Sequence, residues 1–163
     1  MNKLDFIESK IISTKNLQEF IKSLKANNET IVFTNGCFDI LHYGHINYLA
    51  QAADLGSKLI IGLNSDSSVK KLKGENRPIN KEMERAFILA SLFFVDAIII
   101  FEEDTPEKLI QEINPNILVK GGDYKIDEIA GANFVLKNGG KVEIIKFVDG
   151  YSSTKIINKV SNI

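Results

Sequence analysis

The sequence predicts an α/β fold: a Rossmann-like, doubly wound, parallel five-stranded sheet with helices on both faces. Three observations predict it. Short apolar runs alternate with segments of helical spacing along most of the chain, which is the pattern of consecutive βα units. Two of those runs, Leu59-Ile60-Ile61 and Ala97-Ile98-Ile99-Ile100, are continuously apolar, as a strand covered on both faces must be. At 163 residues and 44% hydrophobic, the chain suits one domain, residues 1–163, with enough apolar surface to close a core.

Residues 1–28 read as an N-terminal helical extension with one amphipathic segment, Leu17 to Leu24, whose apolar positions Leu17, Phe20, Ile21 and Leu24 follow helical spacing. Strands are expected over Ile31 to Thr34, Lys58 to Leu63, Ala97 to Phe101, Ile117 to Val119 and Lys141 to Ile145. Helices are expected over His45 to Leu55, Lys81 to Leu92, Pro106 to Ile113, near Ile126 to Lys137, and from Ser153 onward. Asn64 to Pro78 reads as a loop rich in turn formers.

In such sheets ligands bind beyond the carboxyl ends of the strands, near the point where strand order reverses. Four loops are therefore the places to look: Asn35 to His45, Asn64 to Pro78, Lys120 to Tyr124 and Gly150 to Thr154. They hold most of the Gly-plus-polar clusters. The first follows an apolar strand, passes a Gly-containing turn and enters a helix, and the free N–H groups and dipole of a helix start favour phosphate.

That loop contains both histidines, His42 and His45, spaced to share a face of a first helical turn around Gly44. Local capping would explain them without chemistry. As phosphate ligands they would each offer an N–H, with Gly44 allowing close approach. A zinc site is a poor fit, because the chain has no third His and one Cys, so no metal ligand is assigned.

Lys70, Lys71 and Lys73 would elsewhere be a solvated face. Over the sheet edge, Lys73 on a Gly-hinged loop is the candidate for mobile positive charge. Arg77 and Arg85 offer the planar fork that matches phosphate, and Arg85 is the one favoured. Lys120-Gly121-Gly122-Asp123-Tyr124 is either an ordinary strand-to-helix turn or a backbone that passes close to a base or ribose, with Asp123 as acceptor. Ser152-Ser153-Thr154 offers three hydroxyls where a simple N-cap needs one. Asn35, Asp39, Asn64, Asp66 and Lys120 are the candidate substrate contacts in the same loops.

The charge balance, 20 basic against 21 acidic residues, gives a net −1 and no field to draw nucleic acid or an anionic membrane. The single cysteine forms no internal disulfide, no signal-like run opens the chain, and the longest apolar stretch falls short of the roughly 20 residues that span a bilayer. A cytoplasmic protein is expected. The chain has no GxxxxGK[ST] and no GxGxxG after the first strand, which disfavours P-loop kinases and dinucleotide oxidoreductases. No Ser or Cys is paired with a His as nucleophile and base, so covalent catalysis is disfavoured.

GCFDILHYGH followed by a late SST resembles the cytidylyltransferase-type nucleotidyltransferase superfamily. In order and spacing, VFTNGCFDILHYGHINYL, GLNSDSSVKKLKGENRPIN, VDAIIIFEEDTPEKLI, NPNILVKGGDY and GYSSTKII resemble the D-glycero-β-D-manno-heptose 1-phosphate adenylyltransferases, in their stand-alone form rather than fused to a sugar kinase. The resemblance implies transfer of AMP from ATP, with Mg²⁺, to heptose 1-phosphate, giving ADP-heptose for lipopolysaccharide or related glycans, and a homodimer. It implies that His42 and His45 stabilise the α-phosphate and leaving pyrophosphate, and that Cys37, Phe38, Tyr43 and Gly44 line the ATP site. It also implies that Asp123 contacts nucleotide and that Ser152, Ser153 and Thr154 contact phosphate; Ser153 stands where the usual signature has Thr. Lys73 and Arg85 are carried over as catalytic cations. Rival readings are transfer of CMP or another nucleotidyl group to a different phosphorylated alcohol, a nucleotide-binding regulator without turnover, and a flavodoxin-like interaction domain.

Overall fold

The computed structural model describes residues 1–161; the last two residues of the expected 1–163 span lie outside the described residues. Five strands, β1 (Ile31–Gly36), β2 (Lys58–Asn64), β3 (Ala97–Phe101), β4 (Ile117–Gly121) and β5 (Lys141–Ile145), form one all-parallel sheet in the order β3-β2-β1-β4-β5. This is the expected Rossmann-like α/β architecture, and strand order reverses between β1 and β4.

Side chains alternate across the sheet with period two. Ile31, Phe33, Ile60, Ala97, Ile99 and Leu118 face α2 (Thr14–Ala26), α6 (Glu107–Ile113) and α7 (Ala132–Lys137). Val32, Leu59, Ile61, Leu63, Ile98 and Val119 face α3 (Tyr43–Ala53) and α5 (Glu82–Ala90). Both sets are buried, so the continuous apolar runs have the cause expected of them.

Three elements depart from expectation. The N-terminal segment carries a second helix, α1 (Lys3–Ser9), capped by Asn2. The stretch expected to be helical near Ile126 to Lys137 is broken: a single 3₁₀ turn at Ile126–Glu128 is separated from α7 by Gly131, at φ 81°. Most relevant to function, Asn64 to Pro78 is not a loop throughout but contains α4 (Asp66–Lys73). The Ser65 hydroxyl accepts from the Ser68 amide at its start, Asp66 lies in the first turn, and three lysines lie in the last, each favourable to the helix dipole. Gly74 then stops it at φ 102°.

The ladder between β1 and β4 is short. β1 pairs with β2 over six residues but with β4 only at Val32 and Phe33. Beyond Phe33 the strands are bridged by side chains. The Tyr48 hydroxyl lies 2.6 Å from Thr34 Oγ1 and donates to the Val119 carbonyl at 3.3 Å, and Lys120 Nζ donates to Asn35 Oδ1 at 3.1 Å. A crevice opens there, at the switch point where this class of sheet takes its ligands. Among the described residues no helix is long and apolar enough to cross a membrane.

Candidate active site

The crevice widens into a cleft of about 650 Å³ over the carboxyl ends of β1, β2 and β4. His42 is the N-cap of α3, with extended backbone (φ −145°, ψ 171°), and its Nδ1 accepts from the His45 amide at 3.3 Å. That bond leaves Nε2 of a neutral His42 ring as its donor. The two imidazoles stack at 3.8 Å between centroids, 17° from parallel, so they do share a face. Phe38 meets His45 edge-on at 5.2 Å from a left-handed backbone position, φ 45°. Gly36 makes that fold-back possible, since a Cβ there would come within 2.9 Å of the Phe38 ring.

Burial drives the pKa of both histidines down. For His45, burial and then the neighbouring His42 lower it to about 4, against an opposing effect of the Ile40 carbonyl. For His42 burial lowers it. Both rings are therefore neutral at pH 7 and offer N–H donors without fixed charge. Burial is likewise the chief reason that the Cys37 thiol is pushed up, which keeps it protonated and a poor nucleophile. Burial also pulls Lys120 down.

A second helix start faces the first. In α8 (Ser153–Ser161) the three hydroxyls have separate tasks: Ser152 Oγ accepts from the Lys155 amide, Ser153 Oγ donates to the Ile40 carbonyl at 3.0 Å, and Thr154 makes no hydrogen bond among the described residues. Tyr151 holds the two helix starts together, 6.4 Å from the His42 ring and 5.1 Å from that of Tyr43. Its Cβ fills the space of a side chain at Gly44, so Gly44 serves the packing of the cleft wall as well as any ligand.

Of the residues expected from sequence, the structure brings Asn35, Cys37, Phe38, Asp39, His42, Gly44, His45, Asn64, Lys73, Lys120, Ser152, Ser153 and Thr154 to the lining of one cleft. Tyr43, Asp66, Arg85 and Asp123 do not line it. Arg85 is buried and committed: Nε donates to the Asn80 carbonyl, Nη1 to those of Cys37 and Asn64 at 2.7 and 2.8 Å, and Nη2 to Asp66 Oδ1 at 2.8 Å. It ties three loops together beneath the site, and Asp66 is its partner. Asp39 is also spent within the protein, on Arg77 Nε and on the Ile79 and Asn80 amides. Lys70 and Lys71 pair with Glu75 and Asp104, whereas Lys73 forms no ion pair among the described residues.

Sequence reading missed the aromatic wall of Tyr124, Phe147 and Tyr151. Its signal was the cluster of rings around Gly121, Gly122 and Gly150; the Phe147 ring occupies the place of a Cβ at Gly121, 2.4 Å from it. A second cleft, between α1 and α5, is lined by Ile11, Met83, Phe87 and Ile88 with two glutamates and holds no comparable donor set.

Among the described residues no three His, Cys, Asp or Glu side chains are grouped to hold a metal ion. The carboxylates of the cleft, Asp39 and Asp104, are already paired. This donor set fits a magnesium ion carried in on a polyphosphate rather than one caged by protein ligands.

The chain is 53% identical over 161 residues to the bifunctional protein HldE of Campylobacter jejuni serotype O:6, covering 99% of this chain and 33% of that protein. It is 53% identical over 153 residues to HldE of Haemophilus ducreyi, covering 94% and 32%. It thus spans about a third of the length of these curated relatives. The crystal structure of the lipopolysaccharide core biosynthesis protein from Thermoplasma volcanium superposes with a TM-score of 0.60 at 32% identity, covering 76% of this chain and 99% of that one. Pantoate-β-alanine ligase from Francisella tularensis, solved with an ATP analogue and β-alanine, shares the fold (TM-score 0.54, 18% identity, 94% of this chain and 78% of that one). The cytidylyltransferase-like family model matches residues 33–159, from the middle of β1 into α8, and therefore takes in the histidine pair, the crevice and the hydroxyl-rich helix start. The chain belongs to the cytidylyltransferase-like family.

Proposed function

We propose that the protein is a nucleotidyltransferase that moves AMP from ATP to D-glycero-β-D-manno-heptose 1-phosphate, releasing pyrophosphate and forming ADP-heptose. The observation that carries this reading is the convergence of two helix N-termini and a stacked pair of neutral histidines on the β1/β4 crevice, where among the described residues the carboxylates are ion-paired and the Cys37 thiol is held protonated. A sugar phosphate is already ionised at neutral pH and needs no base, so a site rich in donors suits it. The acceptor identity comes from the family resemblance of the five motifs, and the HldE relatives are consistent with it.

In this reading the aromatic wall receives the base. His42 Nε2–H and the His45 ring donate to the α-phosphate as charge develops on it, while the starts of α3 and α8, with Thr154, receive the pyrophosphate. Lys120, held by Asn35, stands at the crevice floor, and Lys73 brings charge from the end of α4. Tyr43 and Asp123 flank the site and contact the nucleotide once it is bound. A magnesium ion entering with the triphosphate would supply charge neutralisation; the chain's own residues orient the α-phosphorus for direct in-line attack and exclude water. The protein works in the cytoplasm, as a homodimer.

The test is pyrophosphate release with ATP, Mg²⁺ and the heptose 1-phosphate, run beside a panel of four nucleoside triphosphates and several sugar phosphates. Turnover is expected for the ATP and heptose 1-phosphate pair. A preference for CTP or for another phosphorylated alcohol would reassign the substrates, and absence of pyrophosphate throughout would refute catalysis.

A further inference from the structure

Two arginines lie in the stretch after α4, and the structure separates them. All three nitrogens of the Arg85 guanidinium are engaged with protein oxygens. Arg77 lines the cleft with its side chain only 14% exposed, yet only its Nε is engaged, by the 2%-exposed Asp39 carboxylate. Its Nη1 and Nη2 make no hydrogen bond among the described residues. Asp39 is itself fixed by the Ile79 and Asn80 amides, so it sets the plane of the guanidinium. The result is a pre-oriented fork with four free N–H groups at the wall of a phosphate cleft, the geometry that binds a phosphate bidentately.

Where the fork lies in the cleft identifies its ligand. Tyr124 and Phe147 follow β4 and β5 on one side of β1, Lys73 and Arg77 follow β2 on the other, and the start of α8 packs on the β1–α3 turn through Ile40, His42 and Tyr43. In-line displacement places the attacking oxygen and the leaving pyrophosphate on opposite sides of the α-phosphorus. With the base against the aromatic rings and the pyrophosphate at the starts of α3 and α8, the phosphorylated acceptor is left the β2 side. We propose that Arg77, held by Asp39, binds the phosphate of the acceptor, and that this site is distinct from the triphosphate site. The inference rests on the nucleotidyltransferase reading above.

The test compares wild type with Arg77→Gln and Arg77→Lys, measuring KM for acceptor and for ATP separately, with a melting curve for each variant. Arg77→Gln is expected to raise the acceptor KM by on the order of tenfold or more, the scale of a lost charge-assisted pair, and to leave the ATP KM within about threefold. Arg77→Lys keeps the charge without the fork and is expected to recover part of the loss. An ATP KM that rises as much as the acceptor KM, or two unchanged constants, would overturn the proposal. If Arg77→Gln melts early, Arg77→Lys alone decides by the same ratio. If wild type turns over no acceptor, the functional reading fails independently. Calorimetric titration of inorganic phosphate into protein loaded with a non-hydrolysable ATP analogue then decides on Arg77: weaker binding to Arg77→Gln supports it, and equal binding refutes it.

Discussion

His42 and His45 show how much one residue pair conveys. Their spacing predicts that they share a face of one helix turn, and the stacked rings do, because that geometry is local to three residues of one helix start. Removing the His45 ring by His45→Ala is expected to cost on the order of 10² or more in kcat, with the melting point kept, because a transition-state donor is lost without a structural one. Wild-type turnover in that variant would make the ring structural. The pH dependence follows from burial. Both histidines titrate lower in the folded chain than the 6.5 of a free imidazole, His45 at about 4, so the unfolded chain takes up protons first as pH falls. The contribution is complete above pH 6.5 and is lost on descending toward 4. Urea midpoints at pH 7.5 and 5 should fall for wild type and fall less for His45→Gln; equal losses would assign the pH dependence elsewhere. Arg85 was not legible in this way. A residue type does not reveal whether its fork faces a ligand or the protein's own carbonyls, and here it faces the latter. Arg85→Met is expected to destabilise the fold by on the order of 3 kcal/mol or more, since three carbonyls and a carboxylate lose their donor, and denaturant unfolding measures this. Asp39 was hidden for the same reason.

α4 forms where the sequence predicts a loop. Its residues are turn formers and lysines, and only Val69 is an apolar anchor in the core, so no amphipathic stripe announces it. The end signals were present: Ser65 as cap, acid first, lysines last, glycine after. Its formation matters because it delivers Lys73 to the cleft from a helix end rather than from a free loop. The break before α7 was equally unannounced, since Gly131 inside a helical pattern reads as tolerated. In the folded chain it is at φ 81°, and a Cβ there would approach Ile110 Cδ1 to 2.6 Å. Gly131→Ala is therefore expected to cost about 1–3 kcal/mol by denaturant unfolding, and a neutral result would mean that the turn relaxes freely.

For the molecule as a whole, the parallel sheet was legible because burial on both faces demands uninterrupted apolar strands, and β2 and β3 supply them. The opening between β1 and β4 was not, because it depends on where pairing stops and on Tyr48 and Lys120 bridging the gap, which are tertiary facts. That opening gathers two helix starts, one histidine pair and the cationic end of α4 around one cleft. Transfer of label from ATP carrying ³²P at the α-phosphate tests this most directly. The account predicts label in the nucleotide-sugar with one pyrophosphate released per product. Retention of all label in ATP across the acceptor panel, by protein that binds ATP, would contradict it and leave a nucleotide-binding protein without turnover.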